Sequence, residues 1–166
     1  MARVLIVGCG CRGRKLAAGL AGDGQAVRGT TRDPGRLEKI EAAGAEAVVA
    51  DPDRLSTLLP HLGGVSVMCW LMGTAVGEAE AVAALHGPRL ESMASKLTDS
   101  GVRGLVYEAA GDVDAGMLTE GAAIVRRVGE ANRMPVEIVE RDPSEVEAWV
   151  GAVRDGIEGV LGTRAG

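Results

Sequence analysis

The run Val4-Leu5-Ile6-Val7, followed by Gly8-Cys9-Gly10-Cys11-Arg12-Gly13 and then Arg14-Lys15-Leu16-Ala17, constrains this chain more than any other stretch. Four consecutive apolar residues without polar alternation suit a central parallel strand buried on both faces. The three glycines stand at the G-x-G-x-x-G spacing of a strand that turns into a helix beneath a pyrophosphate. Gly8 permits the tight turn, Gly10 lets a phosphate approach the backbone, and Gly13 lets the new helix pack closely on the strand. Phosphates then meet N–H groups at the positive end of the helix dipole. The context strengthens the motif, since 25 glycines in 166 residues produce such spacings by chance. Leu16, Ala17, Leu20 and Ala21 give the helix one apolar face, and a second β-rich run begins at Ala26-Val27. Gly8, Gly10, Cys11, Arg12 and Gly13 are therefore the expected phosphate-binding residues.

Length and composition narrow the class. At 166 residues the chain is expected to form one domain, residues 1–166, with no separate substrate domain. Only 2 % of residues are aromatic, so the core must rely on Val, Leu and Ala. A net charge of −5 and the absence of a long basic run argue against nucleic acid as the main partner. No apolar stretch approaches the roughly 20 residues that span a bilayer, and the chain opens on a strand rather than a signal peptide. Three cysteines, Cys9, Cys11 and Cys69, fit a reduced, cytoplasmic setting. Only His61 and His86 could join them around a metal, and neither stands at finger spacing, so no metal site is expected. The cysteines read as small residues accepted in a tight loop.

Strand and helix signals alternate along the chain. Gln25 to Thr31 is the second predicted strand, and Asp33-Pro34 opens a helix to about Ala43. Ala45 to Ala50 is the third strand, Asp51-Pro52 opens another helix, and Val65 to Trp70 is the fourth strand. In these Asp-Pro pairs the carboxylate caps and the proline takes the first helical position. A long helical region, Glu78 to about Asp99, is interrupted near Gly87-Pro88, and its exposed side is the expected dimer surface. Its second half aligns Leu90, Met93, Ala94 and Leu97 in one stripe. Val102 to Tyr107 is the fifth strand, a loop follows from Glu108 to Ala115, and the next helix ends near Arg133. Val136 to Val139 is the sixth strand, and Asp142-Pro143-Ser144-Glu145 opens the last helix. The expected fold is an α/β, doubly wound parallel Rossmann sheet of six strands, order 3-2-1-4-5-6, with right-handed crossovers.

The glycine run also resembles the first motif of methyltransferases that bind S-adenosylmethionine. That motif carries an acidic residue two positions before its first glycine, where this chain has Ile6. A dinucleotide fits better. NAD-selective proteins place Asp or Glu at the end of the second strand to hold the ribose 2′-hydroxyl. Here the stretch is Gly29-Thr30-Thr31-Arg32-Asp33, whose Thr31 and Arg32 suit a 2′-phosphate, with Arg12 as a second cation. The expected cofactor is NADP, with NAD the alternative. The blander reading leaves Arg32 solvated and Asp33 as a helix cap.

From Val4 to Gly111 the chain resembles an atypical or extended short-chain dehydrogenase/reductase, of the kind related to NAD(P)-dependent epimerases and NmrA-like proteins. Besides the glycine loop, the resemblance rests on Thr30-Thr31-Arg32-Asp33-Pro34, on Gly44 to Asp51, and on Gly101 to Tyr107. It implies NAD(P) in a groove at the carboxyl ends of the strands, with Asp51 reaching the adenine amino group; helix capping is the other reading of Asp51. The catalytic engine of that family does not carry over. Its Tyr-x-x-x-Lys pair is absent, because the residue four after the single tyrosine, Tyr107, is Gly111. The family's serine near the fifth strand is missing too. Near the nicotinamide end stand Trp70, Leu71, Met72 and Gly73 after strand four, and Tyr107, Glu108 and Asp112 after strand five. Glu108 and Tyr107 are the catalytic candidates, Glu108 as acid or base, while Trp70, Leu71 and also Tyr107 are expected as walls. The chain is thus expected to bind NADP(H) and to act either as a small reductase on an unidentified small molecule or as a nucleotide-sensing module with a protein partner. The methyltransferase is the third choice.

Overall fold

β1 (Arg3–Val7) lies at the centre of the sheet, and the side chains of Val4 to Val7 are buried on both faces. In this computed structural model, which describes residues 2–162, six parallel strands run in the order β3-β2-β1-β4-β5-β6. The remaining strands are β2 (Ala26–Thr31), β3 (Glu46–Val49), β4 (Val67–Trp70), β5 (Gly104–Glu108) and β6 (Val136–Val139). Six α-helices accompany them: α1 (Cys11–Gly22), α2 (Leu37–Ala42), α3 (Ala79–Leu85), α4 (Pro88–Thr98), α5 (Ala115–Asn132) and α6 (Val146–Gly162). The expected doubly wound Rossmann sheet is what forms.

The two-residue period of the strands divides the interior into two cores. Val4, Ile6, Val67, Cys69 and Val106 pack with Leu16, Ala17 and Leu20 of α1 and with Trp149, Val153 and Ile157 of α6. Leu5, Val7, Met68, Trp70, Leu105 and Tyr107 pack on the other face, with Leu90, Met93, Ala94 and Leu97 of α4 and Ala122 and Val125 of α5. Because Val7, Trp70 and Tyr107 are register partners, all three point to the α4/α5 side.

Three connections depart from the expected helices. Asp33-Pro34 opens a 3-10 turn, Pro34–Arg36, before the short α2. After Asp51-Pro52 two 3-10 turns form, Leu55–Thr57 and Leu59–His61, in place of a helix. Pro60 cannot donate to an α-helical ladder, and the Thr57 hydroxyl bonds back to the carbonyls of Asp51 and Arg54. The last helix starts at Val146, because Asp142 accepts from the Ser144 N–H in a local turn rather than capping the helix directly. The outward side of α4, expected as a contact between copies, exposes Arg89, Glu91, Ser95 and Lys96. Glu91 is hydrogen-bonded to Arg127 of α5.

One polar pair lies within the α4/α5 core. His86 Nε2 stands 2.9 Å from the Met72 carbonyl oxygen, which only accepts, so Nε2 carries the hydrogen. Nδ1 then accepts from the Tyr107 hydroxyl at 2.6 Å. Gly121 of α5 gives that hydroxyl room, since a Cβ there would collide with it and stand 2.7 Å from the ring carbon bearing it. Gly121→Ala is expected to destabilise the protein by roughly 1–3 kcal/mol through overpacking. That outweighs the about 1 kcal/mol that alanine gains over glycine inside a helix; chemical denaturation measures the sign. Burial also holds the His86 pKa below its ordinary 6.5. As pH falls, the unfolded chain therefore takes up that proton before the folded one, and stability declines from about pH 6.5 downward. Denaturation followed from about pH 8 to about pH 5 should show a loss that His86→Gln lacks.

Candidate functional site

The groove begins where β1 ends. Gly8 turns the chain with φ +90°, and a Cβ there would lie 2.5 Å from the Met72 methyl and 2.6 Å from the Leu71 carbonyl oxygen. Gly13 passes so near that its Cβ would stand 3.1 Å from the Gly8 oxygen, which brings α1 close to the strand. No side chain caps α1 at Gly10, and a Cβ built on Gly10 would meet no protein atom within 4 Å. The helix N-terminus thus faces open space, as a bound pyrophosphate requires.

An outer cavity of about 330 Å³ extends from this loop toward β2 and β3. Gly8, Gly10, Thr31, Arg32 and Arg36 line it, with Met72 and Thr74 along the opposite side. The Thr31 hydroxyl accepts from the Asp33 N–H at 3.1 Å, which shapes the exit of β2. Arg32 is half exposed and pairs with two carboxylates: Nε with Asp51 at 3.3 Å and Nη2 with Asp53 at 3.4 Å. Ala50 and Pro52 line the cavity, whereas Asp51 stands behind Arg32 and also accepts from the Asp53 N–H at 2.9 Å. Arg36, which the sequence reading did not single out, pairs with Asp33 at 3.7 Å.

A smaller inner cavity of about 160 Å³ adjoins it, lined by Cys11, Arg12, Gly13, Leu71, Thr74, Glu108 and Trp149. Gly8, Gly10, Leu71 and Thr74 border both cavities, and Arg12 Nη2 donates to the Thr74 hydroxyl at 2.8 Å across the glycine loop. Glu108 is almost wholly buried. Its Oε1 accepts from the Gly73 N–H at 2.7 Å and its Oε2 from the Trp149 indole N–H at 2.6 Å. Burial raises the Glu108 pKa, against the pull of those two donors and of the Arg12 charge. The loops after β4 and β5 meet at this end: the Val113 N–H donates to the Gly73 carbonyl at 3.0 Å, and Gly111 adopts φ +134° beside it.

The glycine-loop residues, Thr31, Arg32 and Leu71 therefore border one groove, with Glu108 at its inner end. Trp70 and Tyr107 do not reach it. Trp70 is fully buried against the α4/α5 core and donates its indole N–H to the Leu85 carbonyl at 2.9 Å. Tyr107 is equally buried, and burial followed by the neighbouring Glu108 charge pushes its phenol pKa up. Both alternate to the face opposite the glycine loop, while Glu108, one residue later, returns to it. Trp149 comes from α6, and nothing local in the sequence links position 149 to the strand ends. Cys9 is buried beside Gly29, which pushes its thiol up to about 11, and Cys11 is exposed. Among the described residues no three His, Cys, Asp or Glu side chains gather as metal ligands would, and no helix is long and apolar enough to cross a membrane.

Comparisons with known proteins agree with this fold. Among solved structures, BdcA from E. coli superposes with a TM-score of 0.72 at 16 % identity, over 96 % of this chain and 93 % of that one. A short-chain dehydrogenase/reductase superfamily protein from Agrobacterium tumefaciens with bound NAD gives 0.66 at 21 % identity, over 83 % of this chain and 48 % of that one. Triphenylmethane reductase from Citrobacter sp., complexed with NADP(H), gives 0.63 at 13 % identity, over 84 % and 49 %. The chain spans about half the length of these last two proteins, and at such identities the likeness is one of fold. No curated protein sequence matches the chain. Residues 4–95, more than half of the 166, match the model of the TrkA-N domain, a span that holds the glycine loop, Arg32, Asp51 and Thr74. The chain accordingly belongs to the TrkA-N domain family, built on the NAD(P)-binding Rossmann fold.

Proposed function

We propose that the protein binds NADP(H) along the groove and uses it to reduce a small acceptor. The observation that carries the choice of NADP(H) is the pair of guanidinium groups, Arg32 and Arg36, lining the cavity beside Thr31 at the end of β2. The Arg32 ion pairs lie at the surface and exceed 3.2 Å, so Arg32 keeps most of its attraction for a doubly charged phosphate. The backbone at Gly10 and the first turn of α1 hold the pyrophosphate, and Arg12 adds charge from the same loop. Support also comes from the Citrobacter reductase complexed with NADP(H), while the Agrobacterium structure holds NAD.

A bound reduced nicotinamide supplies hydride to the acceptor. Glu108 is the proton-holding group at the inner end of the groove, its carboxyl raised by burial and oriented by Gly73 and Trp149. It passes its proton to the acceptor oxygen of a carbonyl or quinone. Tyr107 takes no part, because its hydroxyl is engaged with His86 in the opposite core. That same observation favours a second reading, occupancy sensing without turnover, in which the nucleotide changes association with a partner protein.

Calorimetric titration with NADPH and NADH tests the first step. NADPH should bind more tightly, and Arg32→Ala should weaken it by about 10-fold or more while NADH moves little, the loss of a charged hydrogen bond being about 1.5–3 kcal/mol. Trp149, whose indole lines the inner cavity, should report binding by fluorescence in a Trp70→Phe background. With an acceptor panel, NADPH oxidation should fall as pH rises through the elevated Glu108 pKa, and Glu108→Gln should lower it about 100-fold. NADPH binding without turnover on any carbonyl, quinone or flavin acceptor would select the sensing reading. Failure of both nucleotides to bind would make S-adenosylmethionine the next ligand to test.

A further inference from the structure

At the outer end of the groove two cations face three carboxylates: Arg32 stands between Asp51 and Asp53, and Arg36 beside Asp33. The cations that would meet a 2′-phosphate are thus already neutralised by the protein. The guanidinium of Arg32 is engaged on one side only, through Nε and Nη2. Of its five N–H bonds, both on Nη1 and one on Nη2 remain, and these form the end-on fork that matches a phosphate.

The three carboxylates differ in what else they do. Asp33 accepts the Gly35 N–H at 2.8 Å, and Asp51 accepts the Asp53 N–H at 2.9 Å, so each shapes its own turn. Asp53 has Arg32 as its side-chain partner and no second hydrogen bond among the described residues. Its charge therefore acts on the groove without shaping the backbone. It attracts Arg32 and, sharing that guanidinium with a phosphate at the fork, repels the phosphate.

We infer that Asp53 is a specificity-determining residue, a fixed negative charge that holds Arg32 in place and sets how strongly the groove prefers a 2′-phosphorylated dinucleotide over one with a free 2′-hydroxyl. The inference rests on the NADP(H) reading above. NADH carries no charge at that oxygen, so Asp53 leaves its affinity alone. Asn in place of Asp53 keeps an oxygen for Nη2 and removes the charge.

The test is calorimetric titration of wild type, Asp53→Asn and Arg32→Ala with NADPH and with NADH, at about 0.05 M and about 0.5 M salt. Asp53→Asn should bind NADPH about 3–5 times more tightly than wild type at low salt, the reach of one exposed charge pair. The gain should shrink at high salt, where the Debye length is only about 4–5 Å, and NADH affinity should stay within about 1.5-fold throughout. A merely structural role for Asp53 would move both nucleotides together and would ignore salt. An unchanged or weakened NADPH affinity in Asp53→Asn overturns the inference, even where wild type prefers NADPH and Arg32→Ala abolishes the preference. A wild type that shows no preference for NADPH and gains none in Asp53→Asn, with Arg32→Ala unchanged from it, overturns the inference together with the reading beneath it.

Discussion

The alternation of side chains along fully buried parallel strands decides what this groove contains. In a sheet covered on both faces, a residue at a strand end belongs either to the face that carries the glycine loop or to the one behind it. Ile6, Cys69 and Val106 share a face with α1 and α6; Val7, Trp70 and Tyr107 share the other. Glu108 follows Tyr107 by one position and lands on the side of the glycine loop. A carboxylate there is costly to bury, and the cost is met by two N–H donors from distant segments, Gly73 and Trp149. The ends of β4 and β5 and the helix α6 are drawn together around that one side chain.

The same requirement explains the neighbouring backbone. Gly73 stands where any Cβ would collide with the Ala110 carbonyl and lie 2.8 Å from Glu108 Oε1. The loops after β4 and β5 can approach only because both Gly73 and Gly111 lack side chains at the crossing. On the opposite face the polar groups of Tyr107 and His86 satisfy each other and the Met72 carbonyl, so the segment lining the groove is anchored from behind as well.

Much of this was legible in the sequence, for identifiable reasons. Val4 to Val7 and the three glycines encode the strand, turn and helix locally, and the alternation of apolar runs fixed the number and order of strands. The helix expected after Asp51-Pro52 failed because Pro60 lies within a turn's reach and Thr57 offers its hydroxyl to nearby carbonyls, details weaker than the Asp-Pro signal. Proximity to the strand ends suggests the groove for Trp70 and Tyr107. Counting the two-residue period back from Ile6 along the register would have sent them to the other face, but register across parallel strands is a tertiary quantity. Trp149 was not visible as a site residue at all, since its partner Glu108 is 41 positions away.

Trp149 and Glu108 both lie outside residues 4–95, the span that matches the TrkA-N domain. The outer cavity, with the glycine loop, Arg32 and Thr74, lies wholly within that span. The molecule is therefore divided along its sequence as well as in space. Residues 4–95 line the whole outer cavity, and the remainder adds Glu108 and Trp149 to the inner one. A chain organised in this way joins its two portions along the β4–β5 ladder and between α1 and α6, so a change at position 108 or 149 alters the inner cavity while the outer one keeps its lining.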